Sequence, residues 1–89
     1  MNSVFEALSH PVRRKIVKVL KKGPKSAGDL ADMFDLTKPT MSTHFAKLKK
    51  AELVRTTRQG NTILYHLNAS VLETALSDLL DFSQGEKND

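Results

Sequence analysis

Cysteine is absent from all 89 residues. That excludes disulfides, thiolate catalysis and thiolate metal sites together. Long apolar runs are missing too. The longest span only a few residues, too short for a membrane helix or a secretory signal, so a cytoplasmic protein is expected. No internal repeat or low-complexity segment occurs. There is no Gly-rich phosphate loop, no His-x-x-x-His pair and no nucleophile beside an evident base. Neither enzymatic activity nor a cofactor is expected. His10, His44 and His66 are scattered and do not compose a metal site. His44 lies beside Met41 and Phe45, which fits a semi-buried histidine better than a base reader.

What is present suits one domain over residues 1–89, with 39% apolar residues to build its core. So short a chain buries limited surface, and dimerisation is a common remedy. The net charge of +4 is unevenly spread. Residues 1–69 hold 13 of the 14 Lys/Arg and 5 of the 10 Asp/Glu, a net of +8. Residues 70–89 hold Lys87 against five acids, a net of −4. One surface is thus suited to a polyanion and another faces elsewhere.

Apolar spacing predicts the elements. Val4, Phe5 and Leu8 mark a short first helix over residues 3–8, with Ser3 as its cap. Pro11 opens a second helix to about Lys21, with Val12, Ile16, Val19 and Leu20 as its buried stripe. Gly23-Pro24 stops it. Ser26 caps a third helix, with Asp29 in a capping-box-like position and Ala27, Leu30, Ala31 and Phe34 apolar. Asp35-Leu36 makes the turn. Thr37 caps a fourth helix from Lys38 to about Ala51, with Met41, Phe45 and Leu48 inward. Strands are predicted at residues 53–57 and 62–67 around a turn at Arg58-Gln59-Gly60-Asn61, with Gly and Asn supplying positive φ. Asn68 caps a last helix from Ala69 to about Phe82, and Ser83 to Asp89 should fray. The order α-α-α-α-β-β-α is a mainly helical winged helix-turn-helix.

The fourth helix carries the chemistry. Its first turns bear a lysine and several hydroxyls off the buried stripe, the groups that reach base edges in a major groove. Lys38, Pro39, Ser42 and Thr43 are the expected base contacts, Pro39 through apolar contact alone. Thr37 and Thr40 sit where free helix N–H groups favour phosphate. Lys25, Ser26 and Lys47 are further phosphate candidates. In the wing, Arg55, Arg58 and Gln59 suit phosphates or a minor groove. Charge on an edge strand also guards against aggregation, and both roles can coexist. Arg13 and Arg14 are expected to be structural or solvated. Val4, Phe5 and Leu8 with Leu72, Leu76, Leu79 and Leu80 would form a two-fold interface through the first and last helices.

With these residues placed, the chain resembles the ArsR/SmtB family of small dimeric bacterial repressors along nearly its whole length. The pieces that carry the resemblance are Ala7-Leu8-Ser9-His10-Pro11-Val12-Arg13-Arg14-Lys15-Ile16, Ser26-Ala27-Gly28-Asp29-Leu30-Ala31, residues 36–45, residues 48–54, Arg58-Gln59-Gly60-Asn61 and residues 64–68. Lys38-Pro39-Thr40-Met41-Ser42 and the Leu67-to-Leu72 helix start look closest to an autorepressor branch. The family's metal sensors use cysteines in the third helix or an Asp/His/Glu set in the last. Here there is no cysteine, and no histidine follows His66. Glu73, Asp78 and Asp81 alone make a poor transition-metal site. His10 stands where the family usually has an acidic cap, which should weaken the second helix's start.

The expected function is a homodimeric, metal-independent autorepressor that binds a palindromic operator in double-stranded DNA. A ligand-responsive sensor of the same family and a winged-helix protein-interaction module stay open as alternatives. So does release by an unidentified ligand or partner protein.

Overall fold

A computed structural model of the chain describes residues 3–88, with side chains as far as Asp81. The elements in order are α1 (Ser3–Ala7), α2 (Pro11–Leu20), β1 (Lys25–Ser26), α3 (Ala27–Phe34), α4 (Lys38–Lys50), β2 (Val54–Gln59), β3 (Thr62–Leu67) and α5 (Ala69–Asn88). The winged helix-turn-helix expected from the sequence is present. β1 is an addition. It pairs antiparallel with β3, placing Lys25 opposite Tyr65 and Ser26 opposite Leu64, and completes a sheet of order β1-β3-β2.

The starts of α2 to α5 have local causes. His10 is extended and caps α2, its Nδ1 accepting the Val12 N–H at 3.1 Å. The imidazole lone pair does what a carboxylate would do there, so the expected weak start is corrected. Ser26 Oγ accepts the Asp29 N–H at 3.0 Å and caps α3. Asp35 ends α3 in the left-handed conformation, φ 52°, which the short aspartate side chain tolerates. Thr37 caps α4, and Pro39 lies in its first turn. The Asn68 carbonyl accepts the Val71 and Leu72 N–H groups at the start of α5.

The core lies where α2, α3 and α4 meet the sheet. Ile16, Leu30, Met41, Leu48 and Leu53 are fully enclosed. Burying each contributes roughly 1.5–3 kcal/mol. The α2 stripe differs from expectation. Arg13, Ile16, Val17 and Leu20 are buried, while Val12 and Val19 are only partly so. The face is turned toward Val17, and a cation sits at its N-terminal end.

The hairpin is tighter than the sequence suggested. Gln59 pairs with Thr62, so the turn is the two residues Gly60 and Asn61. Arg58 and Gln59 belong to the ladder rather than to the turn. Gly60 has φ 61° and Asn61 is not in the positive-φ region. This is the type II′ pattern, which wants glycine at the first central position. Leu53, expected to open the strand, instead closes the α4 turn through its N–H to Leu48 O at 3.0 Å.

α5 continues to Asn88, past the expected end near Phe82 and into the stretch expected to fray. No proline interrupts it, and Gln84, Glu86 and Lys87 are good helix formers. Of its apolar residues Ala75 is buried, and Val71 and Leu72 are partly buried. Leu76, Leu79 and Leu80 stay 48%, 53% and 63% exposed. Phe82 and Asp89 fall outside the residues whose side chains are described. Val4, expected on an outer interface, is 5% exposed and packs into the protomer's own core. Phe5 and Leu8 are partly buried beside it. Among the described residues, no helix is long and apolar enough to cross a membrane.

Candidate nucleic-acid interface

The Asp35 turn sets α3 and α4 at an angle, leaving the α4 N-terminus in solvent. Thr37, Lys38, Pro39, Thr40, Ser42 and Thr43 are all exposed, while Met41, His44, Phe45 and Leu48 fix the other face. Four apolar or semi-polar anchors at helical spacing hold the helix rigid while its polar groups point outward.

The hydroxyls are not equivalent. Thr37 Oγ1 accepts the Thr40 N–H at 3.4 Å and donates to Thr40 Oγ1 at 2.9 Å. Thr40 therefore keeps its own proton for an outside acceptor such as a phosphate oxygen. Thr43 Oγ1 donates to Pro39 O at 3.2 Å, so it presents lone pairs and a methyl group outward. Lys38 and Ser42 share the wall of a groove of about 250 Å³ with Ala27, Gly28, Ala31 and Tyr65. Phe45 and Tyr65 stack behind it with ring centroids 4.5 Å apart, and burial pushes the Tyr65 phenol above its usual range.

The other expected contacts separate into groups. Ser26 lies with Gly28, Asn61 and Thr62, joining the start of α3 to the wing tip. Lys25 does not join it. Successive strand residues point to opposite faces, and Lys25 lines a depression with Lys18, Lys22 and Met33. Lys47 lies with Thr43 and Lys50 farther along α4. The wing divides the same way. Arg58 shares a face with Ile63 and Tyr65, the side that packs on α4. Arg55 and Gln59 occupy the opposite face with His66, whose Nε2 is 2.8 Å from Thr57 Oγ1. All three wing residues are exposed.

A buried polar cluster supports α4 from behind. Arg13 Nε donates to Ala7 O at 2.6 Å, and its Nη1 lies 3.2 Å from His44 Nδ1. A guanidinium can only donate, so His44 must accept at Nδ1 as the neutral ring. The His10 and His44 ring centroids are 4.5 Å apart. Burial, then His10 and then Arg13 hold the His44 pKa below its usual 6.5. The expectation of a semi-buried His44 agrees with this, and Arg13 is structural. Sequence reasoning does not find their pairing. Its signal is Arg13 standing three residues before Ile16 and seven before Leu20, on the buried line. Arg14 instead stays exposed and donates to Leu8 O at 2.7 Å. Among the described residues, no group of three His, Cys, Asp or Glu could hold a metal.

The model for "Bacterial regulatory protein, arsR family" matches residues 10–56, from the α2 cap through all of α4 and into the wing. The chain belongs to the ArsR family. Its likeness to individual ArsR-family proteins extends over the whole fold. It is 44% identical over 89 residues to the transcriptional repressor SdpR of Bacillus subtilis (strain 168), covering 100% of this chain and 99% of that protein. That agrees with the branch suggested by Lys38 to Ser42. It is 36% identical over 73 residues to the arsenical resistance operon repressor of Staphylococcus xylosus, covering 82% of this chain and 70% of that protein. Among solved structures, an ArsR-like transcriptional regulator from Rhodococcus sp. RHA1 superposes with a TM-score of 0.87 at 26% identity, over 97% of this chain and 81% of the other.

Proposed function

We propose that this ArsR-family protein is a homodimeric, cytoplasmic transcriptional repressor that binds a palindromic operator without a metal. The observation that carries the reading is the exposed start of α4, where Lys38, Ser42 and Thr43 stand on a helix anchored by Met41, Phe45 and Leu48. A rigid helix with donors and acceptors at its free N-terminal end is what major-groove reading requires. Lys47 farther along α4 and Arg55 and Arg58 on the two faces of the wing are the cations that would neutralise phosphates. Repression follows from occupying the promoter. The relatives SdpR and the arsenical resistance operon repressor support the regulatory role.

Dimerisation through α5 and α1 is part of the same reading. Three large leucines left exposed on α5 suit a second copy. Metal independence rests on the missing cysteines and the absence of histidine beyond His66. A mobility shift with the duplex upstream of the chain's own gene tests the reading. Retardation by that duplex over unrelated DNA, unaffected by micromolar zinc, cadmium or arsenite, is expected. Equal binding to any duplex would favour a non-specific role, and no binding a protein partner. Metal-dependent release at one ion per subunit would contradict metal independence.

A further inference from the structure

Met41, Phe45 and Leu48 hold α4 by apolar packing, and the chain also buries an arginine behind it. Arg13 and His44 are each 7% exposed. A buried guanidinium without a carboxylate is costly, and a hydrophobic residue of similar volume would pack the same space at less cost. The cation is held by one carbonyl, from Ala7 at the end of α1, and one imidazole, from the middle of α4. Arg13 lies on α2, so a single side chain connects three helices. His44 directly follows Ser42 and Thr43 in sequence.

We propose that Arg13 and His44 are positioning residues for the reading helix, tying α1 and α2 to α4 while His44 is neutral and releasing it when His44 gains a proton. This rests on the DNA-binding reading of α4. A protonated ring has no lone pair at Nδ1 for Arg13, and it would set two cations where one hydrogen bond stood. Among the described residues, the charged and titratable groups that face His44 are Arg13 and His10, and each disfavours its protonated form. From α1 the cluster receives the Ala7 carbonyl, and that helix's acid, Glu6, is exposed. Asp29 and Asp32 on α3 are exposed, as are Arg55 and Arg58 on β2. His10 itself accepts the Val12 N–H at Nδ1, so that lone pair is committed to the α2 cap and is no second acceptor for the cluster.

The test uses the full chain and its upstream duplex, with binding followed by fluorescence anisotropy at about pH 7.5 and about pH 5.5. His44→Asn places an amide oxygen near Nδ1, keeping the acceptor and removing the titration. The wild type should lose operator affinity across this interval beyond any loss in H44N, severalfold and by no more than about tenfold, because a ring whose pKa lies below 6.5 is only partly protonated at the lower pH. Parallel profiles for the two proteins would overturn the inference while leaving the DNA reading intact. A wild type that binds no duplex at the higher pH would sink the DNA reading instead. The tie is then read without DNA, by following amide and histidine resonances through the same interval. Shifts at Ala7, Arg13 and along α4 that track the His44 ring in the wild type support it. A His44 ring that titrates with no response in those amides overturns it. The same wild-type titration decides the matter if H44N does not fold.

Discussion

Ser42 and Thr43 stand side by side on α4, yet they offer DNA different groups. Ser42 can both donate and accept, whereas Thr43 spends its proton on Pro39 O and presents lone pairs and a methyl group. Together with the Lys38 ammonium they form a set able to distinguish base edges. Alanine at Lys38, Ser42 or Thr43 should therefore reduce the preference for operator over random DNA by roughly 1–3 kcal/mol for each base interaction removed. Competition binding measures this, and undiminished preference in all three variants would remove α4 from the reading role. Arg58, in the proposed reading, acts through charge alone. Arg58→Ala should weaken specific and non-specific binding alike and reduce the salt slope by about one unit. His44 predicts a stability effect of definite sign. Its folded-state pKa lies below 6.5, while the unfolded ring titrates near that value. Above it both states are neutral and the residue adds no pH dependence. As the pH falls below it the unfolded chain takes the proton first, so stability declines until the folded-state value is passed. Urea unfolding at fixed protein concentration should show this decline in the wild type and a smaller one in H44N. The exposure of Lys38, Ser42 and Thr43 is legible in the sequence, because hydroxyls and lysine off an apolar stripe have few other placements. The Arg13–His44 pair is not, because it joins residues 31 positions apart.

Elements with strong periodicity are readable, and those set by long-range pairing are not. Met41, Phe45 and Leu48 place the buried side of α4 from spacing alone, and the structure buries all three. Caps at Ser26 and Thr37 are equally plain, because each hydroxyl acts on an N–H three residues away. β1 gives no signal. Two residues cannot display alternation, and their strand character comes from β3 beside them. The hairpin turn reads two residues too wide because Arg58 and Gln59 have no strong strand preference, and the Gln59–Thr62 pairing fixes them. The α2 face reads one position off since three of its residues are valine and alternate stripes exist. α5 supplies the prediction at this scale. Leu76 is 48% exposed in the protomer, so Leu76→Glu should leave the fold intact. In a dimer it would bury an unpaired carboxylate at a cost of several kcal/mol. Sedimentation at micromolar concentration should find the wild type dimeric and the variant monomeric, with palindrome binding abolished in the variant. A monomeric wild type would remove α5 as the interface.

The charge of the whole molecule is unevenly divided along the chain. The net +8 of residues 1–69 is spread over α1 through the wing, while residues 70–88 of α5 hold Lys87 against Glu73, Asp78, Asp81 and Glu86, a net of −3. Phosphate neutralisation at one end and an apolar, acidic helix at the other fit a body that meets DNA on one side and a second copy on the other. The proposed two-fold symmetry then dictates the target. Two α4 helices related by a dyad read two inverted half-sites about one DNA turn apart. The central claim is that this chain reads sequence, as a pair, through α4. Selecting bound duplexes from a random pool with the purified protein tests that most directly. The account predicts enrichment of an inverted repeat with half-site centres about 10 base pairs apart, or a multiple of that. A pool that emerges without any enriched sequence would contradict it.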